Sequence, residues 1–270
     1  MPNYTLSDIY VYPIKSLGGI RLNEALVQKR GLQYDRRWML TDEQGHFLTQ
    51  RKFAQMALLQ VEIIENGLKV SHKKQALEPI FIPFEASDEK TKLVSIWQDV
   101  SFAFEEKADT HKWFSEALGI SCKLVYMPEN AMRHVDPEYA RPGDLVSFAD
   151  AFPFMMIGEE SLNDLNGRLA EPVPMNRFRP NLVFSGGAAF DEDTWTEFKI
   201  GGEATFFPVK PCARCVVTTI DQETAQTSAE PLKTLATYRT QNNKVMFGQN
   251  LVHNATGITL KTGQTLEIID

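Results

Sequence analysis

The sequence predicts a β-rich α+β protein. Three observations carry this reading. Short runs of β-branched, aromatic and aliphatic residues alternate with turn residues through the first hundred positions, segments of helical period are few, and β-type runs resume after Gly158. Regular short strands with turns between them suggest a sandwich or a barrel.

The elements follow in order. Residues 5–14 form a β-rich run broken at Pro13, and residues 22–28 and 37–41 are further short strands. Glu43-Gln44-Gly45 is a turn between two such runs and suggests a hairpin. Residues 58–64 and 68–71 flank Asn66-Gly67, a strong short-range hairpin signal. Residues 94–97 and 100–104 read as another pair. Residues 109–118 place Trp113, Phe114, Ala117 and Leu118 on one helical face, with Gly119 as a cap. Leu162, Leu165 and Leu169 form a stripe on a second helix over 159–169, and Pro231 opens a short third one to Thr237. These stripes fit core packing. The segment 129–143, with Pro137 and Pro142 in it, is polar and turn-rich and reads as a surface loop. The remaining strands are expected at 181–184, 197–200, 204–207, 215–220 and 258–260. A loose boundary falls within 105–130.

Composition narrows the function classes. At 270 residues the chain is long enough for a sizeable core, and 43% apolar with 23% charged residues is ordinary for a globular protein. The net charge of −7 argues against general nucleic-acid binding, which relies on a basic footprint. No apolar run approaches the length of a membrane span. The N-terminus carries no basic region followed by a hydrophobic stretch, so no secretory signal is expected and the expected location is cytoplasmic.

Three cysteines, Cys122, Cys212 and Cys215, are too few for a disulfide framework. Pro211-Cys212-Ala213-Arg214-Cys215 precedes the β-branched run 216–220, so the CxxC is expected to enter a strand. A structural zinc site needs four ligands, and no second Cys or His pair has the spacing. A thioredoxin-like dithiol sits where a strand gives way to a helix. A single thiolate can instead hold a soft redox metal, with Lys210 and Arg214 beside the pair to keep it deprotonated. Two buried thiols without chemistry are the remaining alternative.

Further motifs add a resemblance. Asn176-Arg177-Phe178-Arg179-Pro180-Asn181, then Lys210-Pro211-Cys212-Ala213-Arg214-Cys215 and Thr218-Thr219-Ile220-Asp221, resemble the MOSC domain. Tyr12-Pro13-Ile14-Lys15-Ser16 and Asp35-Arg36-Arg37-Trp38 resemble the β-barrel domain that precedes it in MOSC proteins. The likeness continues through Phe247-Gly248-Gln249 to the closing strands and covers nearly the whole chain. It implies an N-terminal β-barrel-like domain over residues 1–120 and a MOSC β-barrel with a few helices over 121–270.

The resemblance also implies roles. The family includes the C-terminal domain of molybdenum cofactor sulfurases, the mitochondrial amidoxime reducing component and bacterial reductases with a fused ferredoxin. In the amidoxime-reducing members the second cysteine of the motif binds molybdenum, which makes Cys215 the metal ligand and catalytic residue here. Lys15, Ser16 and Arg36 would hold the phosphate of the molybdopterin cofactor, as a point charge, a hydroxyl and a fork suit a dianion. Arg179 and Asn181, with Arg177 and Ser161 as further positions, would lie near the pterin. Asp150 would orient a site residue. His134 and Asp136, in the polar loop, form a candidate acid–base pair, with a plain polar loop as the alternative.

The implied reaction is reduction of N-hydroxylated compounds such as amidoximes, hydroxylamines and N-hydroxylated bases. A plant-type 2Fe–2S centre needs four cysteines in a set spacing, so no Fe–S cluster is expected within this chain. No GxGxxG stretch for a dinucleotide is present. By the resemblance the sequence ends at Asp270 just after the last MOSC strand, so the fused ferredoxin of the bacterial members is not expected here. A separate electron donor of ferredoxin or flavin reductase type is therefore expected, with a small-molecule substrate and neither nucleic acid nor membrane as partner. The alternative is a molybdenum cofactor carrier or a persulfide-bearing sulfur-transfer module without reductase activity.

Overall fold

The first strand shows how sequence becomes register. In Tyr4–Val11 the buried positions are Tyr4 and Leu6, then Ile9 and Val11. A bulge between Leu6 and Asp8 shifts the pairing with Leu182–Ser185 by one residue and keeps both halves of the apolar set on the core face. The computed structural model describes residues 3–85, 90–141 and 143–269. Pro142, expected in the polar loop, lies outside them.

Seven strands close into a barrel. Their order is Phe154–Gly158, Leu182–Ser185, Tyr4–Val11, Thr265–Ile269, Glu197–Ile200, Ala204–Ala213 and Lys244–His253, and the last pairs back with the first. All neighbours run antiparallel except Phe154–Gly158 with Leu182–Ser185, which are parallel. A parallel pair needs a crossover, and the helix Glu159–Asn166 lies within it. The interior is aromatic: Phe206 stacks on Phe198 at 5.5 Å and meets Phe154 edge-on at 5.1 Å.

The N-terminal half adds smaller sheets. Trp38–Thr41, Lys123–Tyr126, Asp99–Glu105 and Thr91–Ile96 make one of four strands. Leu59–Ile64, Gly67–His72 and Ile80–Pro83 make one of three, with the expected hairpin around Asn66-Gly67. The helix Ala108–Leu118 buries Phe114, Ala117 and Leu118 and ends at Gly119 in the left-handed region (φ 66°), as the stripe and the glycine predict. The protein is thus β-rich α+β with a C-terminal barrel.

The halves interlock. Tyr4–Val11 lies inside the barrel sheet, and Thr259–Lys261 pairs with Glu24–Gln28. Two strand expectations need correction. The run 216–220 is not a strand: Ala204–Ala213 ends before the second cysteine, and Val216–Thr219 forms a 3-10 turn. The Thr218 and Thr219 hydroxyls donate to the carbonyls of Cys215 and Val216 at 3.0 and 2.8 Å. These local bonds replace ladder bonds and override β propensity. The 43–45 turn forms, with Gly45 at φ 90°, but Trp38–Thr41 takes its ladder from Lys123–Tyr126 and reaches residue 47 by one bridge only. The second helix is also shorter than the 159–169 expected, stopping at Asn166.

The barrel interior makes a direct stability test. Phe206→Ala is expected to lower unfolding free energy by about 3–5 kcal/mol, the usual cost of emptying a buried aromatic site. Urea unfolding followed by far-UV circular dichroism reads it as a lower midpoint.

Candidate functional site

Loops that enter and leave the barrel strands converge on one cavity. Lys15 and Ser16 follow Tyr4–Val11, Asp150 precedes Phe154–Gly158, Arg179 and Asn181 precede Leu182–Ser185, and Cys215 follows Ala204–Ala213. All of these residues, with Arg36, line it. So does Arg51, from the N-terminal half. Five cationic side chains, Lys15, Arg36, Arg51, Arg179 and Arg214, face a single carboxylate, Asp150, among the described lining residues.

Lys15 is buried, and its Nζ donates to the Phe148 carbonyl at 2.7 Å and to Asp150 Oδ1 at 2.5 Å. An ammonium has three donors, so one remains for a ligand. Burial pushes its pKa down to about 8, with Asp150 opposing the shift. Burial opposes ionisation of Asp150, yet Lys15 and Arg51 hold its carboxyl well below the usual carboxylate range. The loop carrying Asp150 is itself stapled by buried Arg133, which donates to the carbonyls of Ser147, Ala149 and Asp150 at 2.7, 2.5 and 2.9 Å.

Arg36 donates to Asp35 at 2.7 Å and to Asn181 Oδ1 at 3.1 Å. Its guanidinium and that of Arg179 both lie over the Tyr12 ring, at 4.4 and 4.3 Å. Burial lowers the Arg179 pKa to about 10, and Arg36 adds to the shift. Ser16, Arg36 and Arg179 all adopt left-handed backbone, at φ 68°, 50° and 57°. Such conformations cost energy in non-glycine residues and concentrate at functional sites. They aim three donors at one space.

Cys215 is half-buried, and its sulfur accepts from Arg51 Nε at 3.2 Å. Arg51 also donates to Asp150 at 3.0 Å and lies over the Trp97 ring at 4.4 Å. The expectation that Lys210 and Arg214 attend the reactive thiol is corrected. Arg214 donates to Cys212 Sγ at 3.0 Å and to the Phe178 carbonyl at 2.6 Å, while Lys210 lies over the Tyr139 ring. Cys122 packs in a different core cluster from Cys212. Among the described residues no group of three or more His, Cys, Asp or Glu is arranged to hold a metal ion.

Two expected cofactor residues do not reach this cavity. Ser161 is fully buried and donates its hydroxyl to Glu192, whose pKa burial raises. Arg177 is spent on the Thr218 carbonyl at 3.0 Å and on Asp221 at 3.1 Å, bracing the turn behind Cys215. His134 and Asp136 line a second cavity, which shares Asp150 and Ala151 with the first. Sequence reasoning missed Arg51 and the role of Arg133. No motif marks either, because Arg51 stands 164 positions from its sulfur partner.

The fold and the site define a class: a β-rich protein with a cationic, strained cavity around one partly exposed thiol. The chain belongs to the MOSC-domain family, with residues 143–267 matching the MOSC domain and residues 3–121 matching the MOSC N-terminal beta barrel domain. It is 33% identical to mitochondrial amidoxime-reducing component 1 of Mus musculus, over 87% of this chain and 71% of that one. It is 30% identical to mitochondrial amidoxime-reducing component 1 of Homo sapiens, over 98% of this chain and 83% of that one. It is 33% identical to the molybdenum cofactor sulfurase of Arabidopsis thaliana, over 92% of this chain but only 33% of that protein. No helix among the described residues is long and apolar enough to cross a membrane.

The buried lysine gives the site a pH dependence. Its ammonium is charged below about pH 8 and neutral above it, whereas the unfolded chain keeps the proton up to about 10.5. Between these values the unfolded state binds more protons, so this group adds stability as pH rises. Anion binding runs the other way. Sulfate, whose charge stays constant, is expected to bind about tenfold more weakly at pH 9 than at pH 7, the loss of one charge-assisted bond. Calorimetric titration checks this, and Lys15→Met is expected to flatten the profile.

Proposed function

We propose that this chain binds a molybdenum–pterin cofactor and reduces N-hydroxylated compounds with electrons from a separate donor. The observation that carries this reading is the partly exposed Cys215 sulfur at the edge of a cavity lined by Lys15, Arg36, Arg51 and Arg179. That donor set suits a phosphorylated, sulfur-rich anion. A buried acceptor, Asn176 Oδ1, has no partner among the described residues and lines an adjoining cavity with Arg179, which suits a heterocycle edge bearing N–H groups.

In this reading Lys15, Ser16 and Arg36 hold the phosphate, Arg179 and Asn181 meet the pterin, and Cys215 Sγ binds the metal. The cofactor, when bound, supplies two-electron removal of an oxygen atom from nitrogen. The chain's own work is orientation. Arg51 Nε fixes the sulfur, Asp150 fixes Arg51 and Lys15 together, and His134 and Asp136 stand at the neighbouring cavity as candidates to deliver protons. The electron donor is proposed to be of ferredoxin or flavin reductase type, and the location cytoplasmic.

Elemental analysis tests the proposal. Protein made with cofactor supply is expected to carry near-stoichiometric molybdenum, lost in Cys215→Ala, and the loaded wild type is expected to reduce an amidoxime when given a donor. Full reductase activity in Cys215→Ala would refute the mechanism. Loaded protein that passes cofactor to an apo-enzyme without any N-reduction would instead identify a carrier.

A further inference from the structure

Gln50 and Arg51 sit in a turn outside any strand or helix, where the amides of Lys52 and Phe53 donate to the Thr49 carbonyl at 3.0 and 2.9 Å. Loop side chains are mostly exposed, and glutamine is mostly an exposed residue. Gln50 is nonetheless 1% exposed. Its partner is Gln222, also buried and 172 positions further on. The two carboxamides bond reciprocally: Gln50 Nε2 donates to Gln222 Oε1 at 3.2 Å, and Gln222 Nε2 donates to Gln50 Oε1 at 3.0 Å. Each carboxamide has two N–H groups, and both are used. Gln50 gives its other one to the Ser16 carbonyl at 2.7 Å, and Gln222 to the Ile220 carbonyl at 3.1 Å. Neither amide can turn over without pointing its oxygen at a carbonyl.

The pair joins groups that the cavity takes from both halves of the chain. The Gln222 side is firmly anchored. Asp221 Oδ1 accepts from the amides of Glu223 and Thr224 at 3.0 and 2.8 Å, Arg177 donates to Asp221 Oδ2, and Lys73 Nζ donates to the Gln222 carbonyl at 2.8 Å. The Gln50 side carries two cavity groups. Ser16 has left-handed backbone, at φ 68°, and the Gln50 amide holds its carbonyl. Arg51, next in the chain, reaches Cys215 Sγ and Asp150. Gln222 Oε1 also accepts from Arg179 Nη1 at 3.5 Å. Strained backbone of the Ser16 kind persists only where its surroundings over-determine it.

We propose that the Gln50–Gln222 amide pair is a positioning device that sets Ser16 at the anion end of the cavity and Arg51 at the thiol end together, so that neither end keeps its geometry without the pair. Neither glutamine lines that cavity, so both act through Ser16 and Arg51. The proposal rests on the cofactor reading only for the identity of the anion.

The test separates positioning from stability. Removing one partner strands a buried amide, whereas replacing both by apolar groups of similar shape can be nearly neutral. Gln50→Leu and Gln222→Leu are therefore each expected to lower the urea midpoint, and the double variant to regain most of it. The double variant is nonetheless expected to bind sulfate at least about fivefold more weakly than wild type by calorimetric titration, the loss of one well-aligned hydrogen bond. In protein carrying isotope-labelled arginine, the nuclear magnetic resonance signal of the Arg51 Nε–H group, assigned by its loss in Arg51→Lys, is expected to shift in the same variant. Wild-type sulfate affinity in the double variant overturns the proposal, as does a change at one end of the cavity without the other. Sulfate affinity and an Arg51 signal that simply follow the urea midpoint across the variants, recovering when it recovers, mark a purely structural role and overturn it too. Both effects in a protein that takes up no molybdenum keep the positioning role and remove the cofactor reading.

Discussion

Asp150 is the group on which the site depends. It is the carboxylate of an otherwise cationic cavity, and it pairs with Lys15 from the first strand's loop and Arg51 from the N-terminal half. Without it, a buried ammonium and a guanidinium would repel each other at low dielectric. Because Arg51 also reaches the Cys215 sulfur, the pairing fixes the thiol relative to the phosphate-type donors. Arg133 secures the Asp150 loop through three carbonyls. The chemistry of the site is therefore set by residues that need not touch any ligand.

Strain complements this charge network. Ser16, Arg36 and Arg179 hold left-handed backbone, and surrounding contacts over-determine each one. Gln50 donates to the Ser16 carbonyl at 2.7 Å and exchanges amide bonds with Gln222 at 3.0 and 3.2 Å. Tyr12 carries both guanidiniums on its ring, and its hydroxyl donates to the Pro180 carbonyl at 3.0 Å. Burial keeps that phenol protonated far above neutral pH. The site is thus organised before any ligand arrives, which lowers the ordering cost of binding.

Two cavities of different lining share one wall: arginines and a lysine line the first, and three carboxylates, two of them ion-paired, line the second. Asp150 and Ala151 belong to both, and the Asp150 charge is paired with Lys15 and Arg51.

Period and turn chemistry made much of the fold legible. The Asn66-Gly67 hairpin, the helix ending at Gly119 and the strand at 197–200 follow from local signals that tertiary contacts did not overrule. The strand Phe154–Gly158 gave no alternation because every one of its residues is buried. The run 216–220 misled because threonine hydroxyls can bond backward to the chain as readily as they can flank a ladder. At the site, Lys15, Ser16, Arg36, Arg179, Asn181 and Cys215 stand out from motif resemblance and do converge, whereas Arg177, within a motif, and Ser161, outside the quoted ones, are spent on the Cys215 turn and on Glu192. The sequence by itself determined the residue types, their order and the local elements, since these depend on neighbours within a few positions. Only the tertiary structure decided that the first strand lies in the last domain's barrel, that Arg51 meets Cys215, and that Trp97 stays exposed beside them. Those outcomes depend on contacts between residues far apart in the chain, which no local pattern encodes.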